Sequence, residues 1–133
     1  MNIDWIIPCR YLEVHDGLGT IVGAGIDTYW LPELPAPIQV LLAVRLLATP
    51  EEITSAEPHV AGNRIRKPNG DILTETRGEV MLEAEVTRPG WLVGATIPVI
   101  LQFDATDEGA YMIELDVDDA SKSLPIHVAL GEP

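Results

Sequence analysis

From Gly109 to Val117 apolar and polar side chains alternate without a break. Tyr111, Ile113, Leu115 and Val117 share one side, while Met112, Glu114 and Asp116 share the other, with Asp118 extending the polar series. A period of two predicts a strand with one buried and one acidic face. The same alternation places Val40, Leu42, Val44 and Leu46 on one face of Ile38–Ala48, opposite Arg45. The Leu and Ala content of that run suits a helix as well, and a run of this length is not settled by periodicity alone. Strand is the reading adopted, because the next signal opens a helix of its own. In Thr49-Pro50-Glu51-Glu52 a capping hydroxyl precedes a proline at the first helical position and a glutamate at the third. A single helical turn near residues 50–55 follows, ended before Pro58.

Punctuation between apolar runs supplies the remaining elements. Ile3–Val14 reads as a strand interrupted at Pro8, and therefore an edge or a bend. His15-Asp16-Gly17-Leu18-Gly19 turns the chain into a second strand, Thr20–Ile26, to give a hairpin. Pro32, Pro35 and Pro37 make a stiff connector. Pro58–Lys67 and Asp71–Thr76 flank Pro68-Asn69-Gly70, where Asn-Gly suits a tight turn. Gly78–Arg88 sets Val80, Leu82, Ala84 and Val86 against Met81, Glu83 and Glu85. Pro89-Gly90 turns into Val93–Phe103, bent at Pro98, and Leu124–Leu130 closes the chain after a turn at residues 119–123. Eight to nine short strands at this spacing predict an all-β fold, an antiparallel β-sandwich, with residues 1–133 as one domain.

With 133 residues, the chain can bury roughly two-thirds of its unfolded surface. Cys9 is the only cysteine, so no intrachain disulfide, thiolate metal cage or paired-cysteine redox motif is available. A reducing compartment fits best. Met1–Pro8 has neither the basic flank nor the apolar length of a secretory leader, and no apolar run approaches the roughly 20 residues of a membrane span. The expected location is cytoplasmic, or the virion if the chain is phage-encoded. Twenty-one acidic against eight basic residues give a net charge of −13, spread along the chain. That field opposes nucleic acid and anionic lipid, so neither is an expected partner. The basic island of Arg64, Arg66 and Lys67, with Arg77 nearby, is read as pairing with neighbouring acids rather than as a phosphate site.

No catalytic constellation emerges. His15, His59 and His127 lie in three separate segments without metal-ligand spacing. Asp104, Asp107 and Glu108 form one acid-rich loop and Asp116, Asp118 and Asp119 approach another, at opposite ends of one strand. The second resembles half of a calcium loop but lacks the glycine turn and the distal glutamate. Gly17, Gly19, Gly23 and Gly25 precede no helix that could hold a phosphate. Pro32 and Pro35 have PxxP spacing without a basic anchor, and read as linker. Ser55, Ser121 and Ser123 sit in turn contexts that favour local backbone hydrogen bonds, and no nucleophile elbow is present. Carboxylate pairs could be drawn from 21 acids almost at will, so none is informative. No catalytic, cofactor-binding or metal residues are assigned, and the chain is read as a non-enzyme.

The punctuation resembles a family of small uncharacterised bacterial and phage-encoded all-β domains. The family closes on a unit of the form Gly-x-Tyr-x-(Ile/Phe)-x-Leu-x-Val-Asp followed by Leu-Pro-Ile-x-Val. Here the unit is Gly109-Ala-Tyr111-Met-Ile113-Glu-Leu115-Asp-Val117-Asp118 and Leu124-Pro-Ile126-His-Val128. The likeness also takes in Cys9–Ile26, Ile38–Ala48, Pro50-Glu51-Glu52 and Val60–Ile72, and it implies a fold without an assigned activity. Tyr29, Trp30 and Trp91 fall at expected strand ends, where aromatic side chains can anchor a partner. The expected function is a structural or protein-interaction module, with a protein partner or a second copy. The alternative is a calcium- or carbohydrate-binding, lectin-like sandwich.

Overall fold

A computed structural model describes residues 1–83 and 88–133. Among them are ten strands and one short helix: β1 (Asn2–Cys9), β2 (Tyr11–His15), β3 (Leu18–Val22), β4 (Thr28–Leu31), β5 (Ala36–Ala48), α1 (Pro50–Thr54), β6 (His59–Arg66), β7 (Ile72–Val80), β8 (Val93–Ala105), β9 (Gly109–Val117) and β10 (Ala120–Leu130). Three strands in the order β1-β5-β8 face five in the order β4-β10-β9-β6-β7, and β2-β3 form a separate hairpin. The fold is the expected all-β sandwich.

Alternation builds its core. Val40, Leu42, Val44 and Leu46 from β5 meet Tyr111, Ile113, Leu115 and Val117 from β9, and all eight are buried. Leu101 and Phe103 of β8, Ile65 of β6 and Ile126 and Val128 of β10 complete the packing. The β2-β3 hairpin lies against β8, where Gly19 approaches the methyl group of Thr96 so closely that a Cβ would stand 3.0 Å away. At the helix, Thr49 Oγ1 accepts from the Glu52 amide and the Glu52 carboxylate accepts from the Thr49 amide, completing the capping box.

Several boundaries differ from the sequence reading. The opening strand breaks at Arg10 rather than Pro8, which lies within edge strand β1 opposite Leu42. Gly23 and Gly25, at φ of 67° and 87°, end β3 before Ile26. Residues Thr28–Leu31, left unassigned by the sequence, form β4 parallel to β10, so one pair departs from the antiparallel pattern. The runs Asp71–Thr76 and Gly78–Arg88 do not make two strands. Ile72–Val80 is one strand paired along β6, and the chain leaves the sheet at Met81. Leu82 is buried and Met81 exposed, as the alternation requires, whereas Ala84, Glu85 and Val86 lie outside the described residues. The final turn shrinks to Asp118-Asp119, with Asp118 at φ 53°, and β10 starts at Ala120. No helix among the described residues is long and apolar enough to cross a membrane.

Candidate functional site

Three kinds of side-chain arrangement could carry function: a histidine–carboxylate cluster, a charged sheet face, and exposed apolar groups at the strand ends. The first joins β6, the β9–β10 turn and α1. His59 opens β6, and its Nδ1 lies 2.7 Å from Asp118 Oδ2 while Nε2 lies 3.0 Å from the Glu52 carbonyl oxygen. Both partners only accept, so both ring nitrogens must carry hydrogen and the ring is held as imidazolium. The Asp118 hydrogen bond, with help from the Glu52 carbonyl, raises the His59 pKa against the opposing effect of burial. In return the ring, together with the Val60 amide donating to Asp118 Oδ1 at 3.0 Å, lowers that of Asp118. The Glu52 carboxylate also receives the Met1 ammonium. With both nitrogens engaged, this histidine is a tie between helix and turn, and it has no free lone pair for substrate or metal.

The outer face of the five-stranded sheet is a ladder of opposite charges. Arg64 of β6 bonds Glu75 of β7 at 2.8 Å and approaches Glu114 of β9 at 3.6 Å. Arg66 bonds Glu114 at 2.6 Å, and Arg77 reaches Asp116 at 3.2 Å. The arginines of the basic island thus pair with neighbouring acids, as their sequence context suggested. Among the described residues these arginines leave no cluster of unpaired cations for a phosphate.

Apolar side chains supply the third feature, and the structure separates two residues the sequence grouped together. Trp30 sits in β4 beside Ala129, at the end where β5 begins and β8 finishes. Trp91 precedes Val93, which pairs with Ala48 at the other end of β5. Thirteen residues of β5 lie between these ends, a separation of about 40 Å. Tyr29 packs against the core and contributes little surface. Trp30 is 44 % exposed and Trp91 65 % exposed. Trp91 has company at its own end. Leu18 at the β2-β3 tip, Met81 after β7 and Leu92 are all mostly exposed. Two adjoining hollows there share Val93 and Gly94 in their walls, one beside Met81 and Ile53, the other beside Trp91 and Leu92. The Arg88 guanidinium lies 5.3 Å from the centre of the Trp91 ring and steadies it. Leu18, Met81 and Leu92 were not singled out from sequence, since one exposed apolar residue in a turn gives no periodic signal.

The remaining candidates stay apart. His15 contacts Glu13 at the exposed hairpin, and His127 is exposed on β10 beside Thr28 and Ala110, at the opposite end of the sheet from His59. Asp107 accepts from the Thr106 hydroxyl, Glu108 from the Leu130 amide, and Asp116 and Asp118 serve Arg77 and His59. Among the described residues no three His, Cys, Asp or Glu side chains converge as a metal site would require. Ser55 accepts from the Glu57 amide, the local bond its context suggested. Cys9 is buried, and burial raises its thiol pKa, the reverse of an activated nucleophile. Comparison with protein-family models and with curated proteins gives no match.

Proposed function

We propose that this domain is a non-catalytic protein-interaction or structural module that engages a protein partner through the α1 end of the sandwich. The observation that carries the reading is the gathering of exposed Met81, Trp91 and Leu92 around two adjoining hollows at that end, with exposed Leu18 next in the chain to Gly17 in the wall of one. A tryptophan seated beside a hollow and flanked by an arginine is the composition of an interface anchor. The groups that could support catalysis are engaged with one another, His59 above all. The alternative of a calcium- or carbohydrate-binding sandwich gains no support from the acid-rich loops, whose Asp107, Glu108 and Asp118 accept hydrogen bonds within the chain.

The test is cross-linking in the source cell followed by mass spectrometry, comparing wild type with the double variant Trp91→Ala, Leu92→Ser. Losing an anchor of this kind costs at least about 2 kcal/mol, or roughly 30-fold in affinity. The expected result is one set of cross-linked proteins that disappears in the variant while its melting temperature is kept. An unchanged set in the folded variant would refute the assignment.

A further inference from the structure

The free edge of β7 carries a second, independent inference. The five-stranded sheet is wider than the three-stranded sheet it packs on, and β7 lies at its margin with residues Glu75 to Glu79 exposed on both faces. Its inward series runs Thr74, Thr76, Gly78 and Val80, and the last three line a cleft of about 230 Å³ walled on the far side by Ile97 and Val99 of β8. Among the described residues no strand pairs with the outer edge of β7. The other marginal strands are blunted. Pro8 within β1 and Pro98 within β8 each remove an amide donor, β4 has only four residues, and β2 and β3 of the separate hairpin have five each. Among the described marginal strands only β7 offers nine residues without a proline.

We infer that β7 pairs with β7 of a second copy of this chain, antiparallel about a twofold axis through Thr76. The charge pattern selects that register. Residues facing each other across an antiparallel pair lie on the same face, so a twofold axis must pass through a residue. With the axis at Thr76 the whole strand overlaps its copy. Glu75 then faces the partner's Arg77 and Arg77 faces the partner's Glu75. An axis at Glu75 or at Arg77 places like charges opposite each other, and an axis at Gly78 pairs little more than half the strand. At Thr76 the row Glu114–Arg64–Glu75 of the outer face continues across the interface into arginine and then Asp116 of the other copy. On the inner face Thr76 meets its own symmetry mate and Thr74 meets Gly78, where even an added Cβ would find no atom within 4 Å in the chain's own fold. The contact closes on itself, so it yields a dimer and not a filament. It does not depend on a partner binding at the Trp91 end.

Sedimentation velocity over a concentration series, with charge-reversed variants, tests this. Glu75→Arg makes the β7 edge cationic at both positions, and Arg77→Glu makes it anionic at both. Wild type is expected to form a reversible dimer, and each variant alone to associate at least about tenfold more weakly. An equimolar mixture of the two variants restores both cross-strand pairs and is expected to give the heterodimer. Amide hydrogen exchange of the wild type supplies a reading that needs no variant, with Thr74 to Gly78 gaining protection at high concentration. A wild type monomeric throughout the series overturns the inference. So do variants that self-associate like wild type, a mixture of folded variants that stays monomeric, or a dimer in which β7 amides gain no protection.

Discussion

Replacing Asp118 by asparagine isolates the charge in the His59 tie. Asparagine accepts the left-handed backbone that Asp118 adopts at φ 53°, so the turn is preserved. Its side-chain oxygen can still accept from the Val60 amide, and its amide nitrogen can donate to a neutral His59, whose remaining N–H serves the Glu52 carbonyl. What is lost is the difference between a charged and a neutral hydrogen bond. Charged bonds contribute about 1.5–3 kcal/mol and neutral ones about 0.5–1.5. The His59 side chain is only 11 % exposed, but Asp118 is 32 % exposed, and solvent screening takes the difference to the lower side, about 1 kcal/mol. For a chain of this size that lowers the melting temperature by about 3–5 °C. The pH dependence is sharper than the magnitude. His59 has its pKa raised above 6.5, so its contribution is complete below 6.5 and is lost as pH rises through the folded value. Asp118 has its pKa lowered below 3.8, so its contribution is complete above 3.8 and is lost as pH falls through the folded value. The gap between wild type and variant is therefore widest between those limits. Urea unfolding of both proteins at about pH 5 and about pH 9 measures it. A gap as large at the alkaline pH would show that His59 is not held as imidazolium.

Three further outcomes follow from local geometry. Tyr111→Phe removes the buried hydroxyl that accepts from the Thr106 and Asp107 amides and donates to the Asp107 carbonyl at 3.0 Å. A loss of about 1–3 kcal/mol by denaturant unfolding is expected, with faster exchange of those two amides. Thr49→Ala removes the acceptor for the Glu52 amide, and the same unfolding experiment should show a loss of about 1 kcal/mol. Cys9 is covered in the folded protein, so an aromatic disulfide reagent should label it orders of magnitude more slowly in buffer than in denaturant, and equal rates would contradict its burial.

Elements governed by local chemistry were legible in the sequence. The alternation in β9 set both its strand type and its inward residues, whereas in β5 it set the inward residues and the strand type also needed the helix signal that opens at Thr49. The helix cap needed four consecutive residues. Asn69-Gly70 needed two, and Asn69 Oδ1 indeed accepts from the Asp71 amide while Gly70 takes φ 92°. Illegible features depend on partners far along the chain. His59 and Asp118 are 59 residues apart, and Asp118 alone looked like the end of an acidic face. The four residues of β4 are too few for a periodic signal, and they are a strand only because β10 runs beside them. Trp30 and Trp91 each looked like a strand-end aromatic; Trp30 is next to last in β4 and Trp91 lies two residues before β8. Only the pairing of β5 with β8 shows that these are opposite ends.

The electrostatics of β7 follow from where the charge is placed. A molecule of net charge −13 repels its own copy at long range, so self-association is least opposed where the local surface is balanced. The outer face of β6, β7 and β9 is such a place. Arg64, Arg66 and Arg77 stand there against Glu75, Glu79, Glu114 and Asp116, close to neutrality, while the rest of the surface carries nearly all of the excess. Three of the eight basic residues of the chain are gathered on this one face. Their intrachain partners explain the pairing but not the open edge. Glu75 and Arg77 both keep solvent-facing surface after those bonds are made, with side chains 44 % and 58 % exposed. An edge meant to repel every strand would carry one sign of charge along its length. The alternating signs of β7 repel its copy in some registers and accept it when the strand is centred on Thr76.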